Sequence, residues 1–200
     1  MAKITLIDST INPVPIISQS AAICKDGGTE DYQANELRLK FLLSAKHYAV
    51  LRFAYATFKI EDISLVCSHQ LVRIAHAGIL QKSYRSCPIP LDMSDRFMQY
   101  PFLDPNSDGY NLVAVALNHA KAAYLKLIDD GIEPEDARYI LPQGVTTELI
   151  ITGNFQMWKH FLNLRLSKYA HWEIRNVAEK VKAELAIIAP TIFGIDDIVA

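Results

Sequence analysis

Residues 137–177 read ARYILPQGVTTELIITGNFQMWKHFLNLRLSKYAHWEIRNV, and the order of elements within them decides the fold. Residues 145–152, VTTELIIT, are rich in β-branched and apolar side chains and predict a strand. Residues 155–168 and then 171–188 carry apolar side chains at helical spacing and predict two helices. Just upstream, Glu133-Pro134-Glu135-Asp136 opens a short helix with proline in its first turn. One strand followed by two helices is not the regular βαβα alternation of a doubly wound sheet.

Working outward, residues 3–8 (KITLID) and 51–60 (LRFAYATFKI) alternate and predict two more strands. Pro13, Pro15 and the Gly27-Gly28 pair interrupt the chain between them. A helix is expected from Asp31 to Lys46, with Leu37, Phe41 and Leu42 on its apolar face. Asp62 is a candidate N-cap for a helix running to Ala77. The stretch 87–110 holds Pro88, Pro90, Pro101, Pro105 and Gly109 and reads as an excursion or lid. A long helix over 111–130, ended by Gly131, follows it. The expected class is α/β of the mixed α+β kind, a central antiparallel or mixed sheet packed with long helices, in a single domain of residues 1–200.

The chain is half hydrophobic, enough for a substantial core. Its net charge of −2, without a run of like charge, argues against nucleic acid as a partner. Cys24, Cys67 and Cys87 lie far apart and form no C-x-x-C pair, which points to a reducing, cytoplasmic setting. No signal-peptide pattern and no apolar run of about 18 residues suggest a membrane.

Arg165 is the most informative single residue. Trp158, Phe161, Leu162, Leu166 and Tyr169 share one helical face, and Arg165 falls within that apolar stripe. A guanidinium stays charged, so an anionic or carbonyl-rich partner should face it. Spacing alone favours an internal salt bridge or an arginine reaching out from the stripe's edge. Gln156, His160 and Asn163 recur at i, i+4, i+7 as a polar stripe, either ligand donors or a solvated face. Gln70 and Arg73 lie one turn apart, followed by Ser83 and Arg85 in QKSYRS (81–86), groups suited to a phosphate but equally to a solvated loop. No G-x-x-x-x-G-K-[ST], G-x-G-x-x-G or H-E-x-x-H is present, so neither a Rossmann turn nor a zinc site is expected.

The 137–177 segment closely resembles the C-terminal signature of flavin-dependent thymidylate synthases. The blocks A-R-x-x-L-P, T-x-x-x-x-T-x-N, F-L-x-L-R and A-x-W-E-I-R occur in order at family spacing, and the resemblance extends upstream through Gln70–Arg85. It implies a mixed α/β subunit assembled as a homotetramer, with active sites between subunits. It implies methylation of dUMP at C5, the carbon coming from methylenetetrahydrofolate and the hydride from reduced FAD recharged by NADPH.

Carried over residue by residue, Arg165 holds the pyrimidine ring and favours its polarised form. Ser83 and Arg85 bind the nucleotide, chiefly its phosphate; Arg138 is another nucleotide arginine; Gln70 and Arg73 match the Q-x-x-R before the defining motif. Arg165 and Ser83 take the catalytic assignment. Arg73, Asn154, Gln156 and His160 fall on the cofactor side. That side departs from the family. Of the R-H-R motif only Arg73 survives, with Ile74 and Ala75 in the other two places. Gln81 replaces the motif's glutamate, Gln156 an arginine, His160 an asparagine and Tyr169 a histidine. His76 lies two residues past the lost histidine, about 200° round a helix. Each lost charge-assisted hydrogen bond costs on the order of 1.5–3 kcal/mol. Three readings follow: thymidylate synthesis, a flavin-free hydroxymethylation of dUMP or dCMP, or a nucleotide-binding paralogue without catalysis.

Overall fold

The computed structural model describes residues 1–25, 27–87 and 101–194. In chain order these form β1 (Lys3–Ser9), α1 (Pro13–Ala22), α2 (Tyr32–Ser44), β2 (Tyr55–Ser64), α3 (Leu65–Leu71) and β3 (Gly78–Gln81). Then come α4 (Asp108–Asp129), α5 (Pro134–Ala137), β4 (Thr146–Asn154), α6 (Phe155–Arg165), α7 (Trp172–Ile188) and α8 (Pro190–Phe193). Most of the 87–110 excursion lies outside the described residues.

The four strands form one antiparallel sheet in the order β1-β2-β4-β3. Alternation sets its faces. Ala56, Phe58 and Ile60 of β2 pair with Gly153, Ile151 and Leu149 of β4, and these point into the core. Trp158 of α6 lies over this face. Its ring meets Phe58 edge-on at 5.1 Å, and its indole N–H donates to the Ala56 carbonyl at 3.0 Å. The other face carries polar pairs beside the exposed Leu80 and Ile150. Thr57 and Thr152 pair through their hydroxyls at 2.7 Å, and Lys59 and Lys82 both reach Glu148 at 3.0 Å.

A bulge between Ile60 and Ile63 interrupts the β2–β4 pairing, which resumes at Ile63 and Ser64, with Asp62 at φ 56°. It turns Ile63 inward and leads into α3. Here two expectations are corrected. The cap of α3 is Ser64, whose hydroxyl accepts from the Cys67 N–H, and the helix stops at Leu71 rather than Ala77. The expected start of the 51–60 strand is instead a 3₁₀ segment, Tyr48–Phe53.

The prolines at 13 and 15 do not break the chain. Pro13 opens α1, where a missing N–H costs nothing. Because α1 packs against α2, the line of α2 that is buried carries Asn35 and Leu39; Leu37 and Phe41 are exposed, contrary to the expected apolar face. Asn35 is tolerated inside because its amide donates to the Thr29 and Asp31 carbonyls. The long helix starts earlier than expected, capped by Ser107, and ends before Gly131 at φ 83°. Tyr169 lies beyond α6 and is exposed, so the stripe carrying Arg165 ends one turn sooner than its spacing suggested.

Candidate functional site

Helix α6 organises the site. Asn154 caps it, its side-chain oxygen accepting the Met157 N–H at 2.9 Å. Arg165 closes it, half-buried, with a guanidinium nitrogen 3.5 Å from the Gln70 amide oxygen on α3. That contact is long, so Gln70 orients Arg165 without neutralising it.

The surroundings of this pair are built by Glu173. It is buried at the start of α7, and its carboxylate accepts from both the N–H and the hydroxyl of Ser64, at 2.7 and 2.6 Å. The W-E-I-R block therefore fastens the N-terminus of the helix that carries Gln70. Cys67, one turn before Gln70, is fully buried. Burial pushes its thiol far above its ordinary value; the Glu173 carboxylate adds to this and Arg165 opposes it. Arg73 lies past the end of α3, exposed and without a partner among the described residues.

Gln81 ends β3 and faces inward. Its amide nitrogen donates to the hydroxyls of Ser68, at 3.1 Å, and Thr147, at 3.4 Å. An amide donates where a carboxylate could not, so this replacement ties β3 to α3.

Ser83 and Arg85 lie in the turn after β3, where the Ser83 hydroxyl accepts the Arg85 N–H at 3.2 Å. The Arg85 guanidinium pairs with the Glu135 carboxylate, while Arg138 donates to the Glu135 carbonyl at 3.0 Å. Thus α5 brings Arg85 and Arg138 together. Four of the six predicted nucleotide residues fall into two pairs, Gln70 with Arg165 and Arg85 with Arg138; Ser83 shares the turn of Arg85, and Arg73 stands apart. No hydrogen bond joins the pairs among the described residues.

Three of the four predicted cofactor-side residues share a groove of about 530 Å³, and Arg73 lies outside its lining. Asn154, Gln156 and His160 line it from α6, Ala75 and His76 from the loop after α3, and Met157 completes it. Two of these positions correct the sequence reading. His76 was placed on the far side of a helix, but α3 has ended; at φ 64° its left-handed backbone sets it beside Ala75 in the groove. That conformation costs roughly 1–2 kcal/mol for a non-glycine residue. Arg52 was assigned to a strand, but from the 3₁₀ segment it reaches the groove and donates through Nε to the Gln156 amide oxygen at 2.5 Å. A lone cation within AVLRFAYATF (49–58) was the signal available. Around α6, Gln156 and Arg165 are nine residues apart and so face opposite sides. Asn163 lies outside the groove's lining. Among the described residues no group of His, Cys, Asp and Glu is placed to hold a metal, and no helix is long and apolar enough to cross a membrane.

Residues 5–191 match the family described as thymidylate synthase complementing protein. A flavin-dependent thymidylate synthase of Pyrococcus horikoshii is 38% identical over 194 residues, covering 93% of this chain and 80% of that protein. One of Thermococcus onnurineus is 35% identical over 192 residues, covering 92% and 78%. The crystal structure of a UMP/dUMP methylase, PolB from Streptomyces cacaoi, bound with 5-Br dUMP, superposes with a TM-score of 0.80 at 20% identity, over 97% of this chain and 94% of that one. At that identity it speaks for the fold. Across nearly its whole length, this chain belongs to the flavin-dependent thymidylate synthase family.

Proposed function

We propose that the protein modifies a deoxypyrimidine monophosphate at C5, methylating dUMP with methylenetetrahydrofolate as carbon donor. The observation that carries this reading is Arg165: a guanidinium in an apolar stripe, steered by Gln70, within the family's F-L-x-L-R block. A cation there stabilises negative charge on the pyrimidine ring as C5 becomes nucleophilic. No side-chain base is required of this chain at C5. Arg85, Arg138 and Ser83 hold the phosphate, and Arg73 extends the positive lining.

Reduced FAD, recharged by NADPH, supplies the hydride when bound. The donor set of the groove suits such a cofactor: Arg52 for phosphate, and Asn154, Gln156, His76 and His160 for polar ring edges. Gln156 and Arg165 point to opposite sides of α6. A complete site therefore draws the two faces from different copies, in keeping with a homotetramer. Incubation with dUMP or dCMP and methylenetetrahydrofolate, with and without FAD and NADPH, tests the reading; no product under any combination refutes it. Ile74 and Ala75 favour one competing reading, hydroxymethylation without flavin. Product formed equally well without FAD and NADPH would select it.

A further inference from the structure

We infer that Arg52 is the residue that holds the flavin's diphosphate in this chain, doing from the 3₁₀ segment what the family's lost arginines do from elsewhere. The inference rests on the flavin reading above.

Three observations carry it. First, the two positions that lost an arginine, Ala75 and Gln156, line the same groove as Arg52. Second, the replacement on α6 is wired to Arg52: the Gln156 amide oxygen accepts from Arg52 Nε at 2.5 Å. An arginine at 156 would repel Arg52, whereas glutamine grips it. Third, the groove's lining contains no carboxylate, so nothing within it neutralises Arg52.

Position suits the role. Arg52 is exposed, where a hydrated diphosphate would stay, while Met157 is nearly buried and offers an apolar surface to a ring. The backbone of Arg52 is fixed: the preceding Leu51 is fully buried and the 3₁₀ segment packs on α6. A guanidinium held through Nε keeps the planar fork geometry that matches phosphate oxygens.

The experiment titrates the full-length protein with FAD and with riboflavin, which lacks phosphate, following flavin fluorescence at two ionic strengths. Wild type should bind FAD more tightly than riboflavin, with an affinity that falls as salt rises. Arg52→Gln should weaken FAD about 10- to 100-fold, the size of a lost charge-assisted contact. It should also flatten the salt dependence and leave riboflavin unchanged. Adding Ala75→Arg to Arg52→Gln should restore much of the FAD affinity. Equal FAD affinity for wild type and Arg52→Gln would overturn the role of Arg52 while leaving the flavin reading standing. No FAD binding by wild type would overturn the flavin reading itself, and Arg52 with it. A parallel loss of FAD and riboflavin in Arg52→Gln would mean that Arg52 only shapes the groove, and would also overturn the proposal.

Discussion

Arg165 has a single long hydrogen bond, to Gln70, so its removal should affect binding far more than folding. Arg165→Ala should weaken dUMP about 10- to 100-fold by calorimetry, with a stability change below about 1 kcal/mol. Unchanged affinity would refute its place at the pyrimidine. The cysteines make an independent test of the local structure. Cys24 and Cys87 are exposed while Cys67 is buried with its thiol pushed upward. A thiol reagent should therefore titrate two cysteines in the native protein and the third only on unfolding. At this scale the sequence spoke clearly where a residue was chemically out of place, as Arg165 is in its stripe. It was silent where a role depends on backbone geometry. His76 enters the groove only because α3 ends at Leu71, and Arg52 only because its segment is 3₁₀ rather than extended.

Among elements, α3 depends on the Ser64–Glu173 contact. Ser64→Ala should cost about 1 kcal/mol, as for other N-caps. Glu173→Ala leaves buried donors unpaired and should cost about 2–4 kcal/mol. Because both act on one contact, the double variant measured by denaturant unfolding should cost less than the sum. Full additivity would separate them. The outer face of the sheet sets a pH dependence. Glu148 is held below its ordinary carboxylate value by hydrogen bonds from Lys82 and then Lys59, and Glu61 by Lys59 and Lys3. Lys59 is raised in turn by Glu61 and Glu148. Depressed carboxylates stabilise the fold above their ordinary value near 4.5 and lose that contribution as pH falls through their folded values. The raised lysine keeps its contribution until pH passes its ordinary 10.5. Melting temperature should thus be flat near neutrality and fall in acid, with a smaller acid-dependent fall in Glu148→Gln. An equal fall in both would show that this network is not the cause. Three strands, β1, β2 and β4, and the C-terminal helices were legible because their periodicity reports burial directly; β3 was not, because its four residues, Gly78–Gln81, are too few to show a period. The face of α2 was not, because the helix it rests on, α1, was hidden behind two prolines read as breaks.

For the molecule as a whole, the two pairs proposed to hold the nucleotide and the groove are positioned by one sheet and by α6, yet Gln156 and Arg165 point apart. Leu80 and Ile150 on the outer face of the sheet, with Leu112 and Val115 on α4, are exposed apolar side chains suited to contact with further copies. Light scattering should give a mass near four chains, and a monomer that turns over dUMP would contradict shared sites. The family was legible from four ordered blocks in 137–177, and the comparisons place the chain in it. The changes around Ile74 and Ala75 are what make the reaction worth measuring first. The decisive measurement is release of tritium from C5-labelled dUMP, given methylenetetrahydrofolate, FAD and NADPH. Release should depend on the folate and be lost in Arg165→Ala. No release from dUMP, nor from dCMP labelled in the same position, would contradict it.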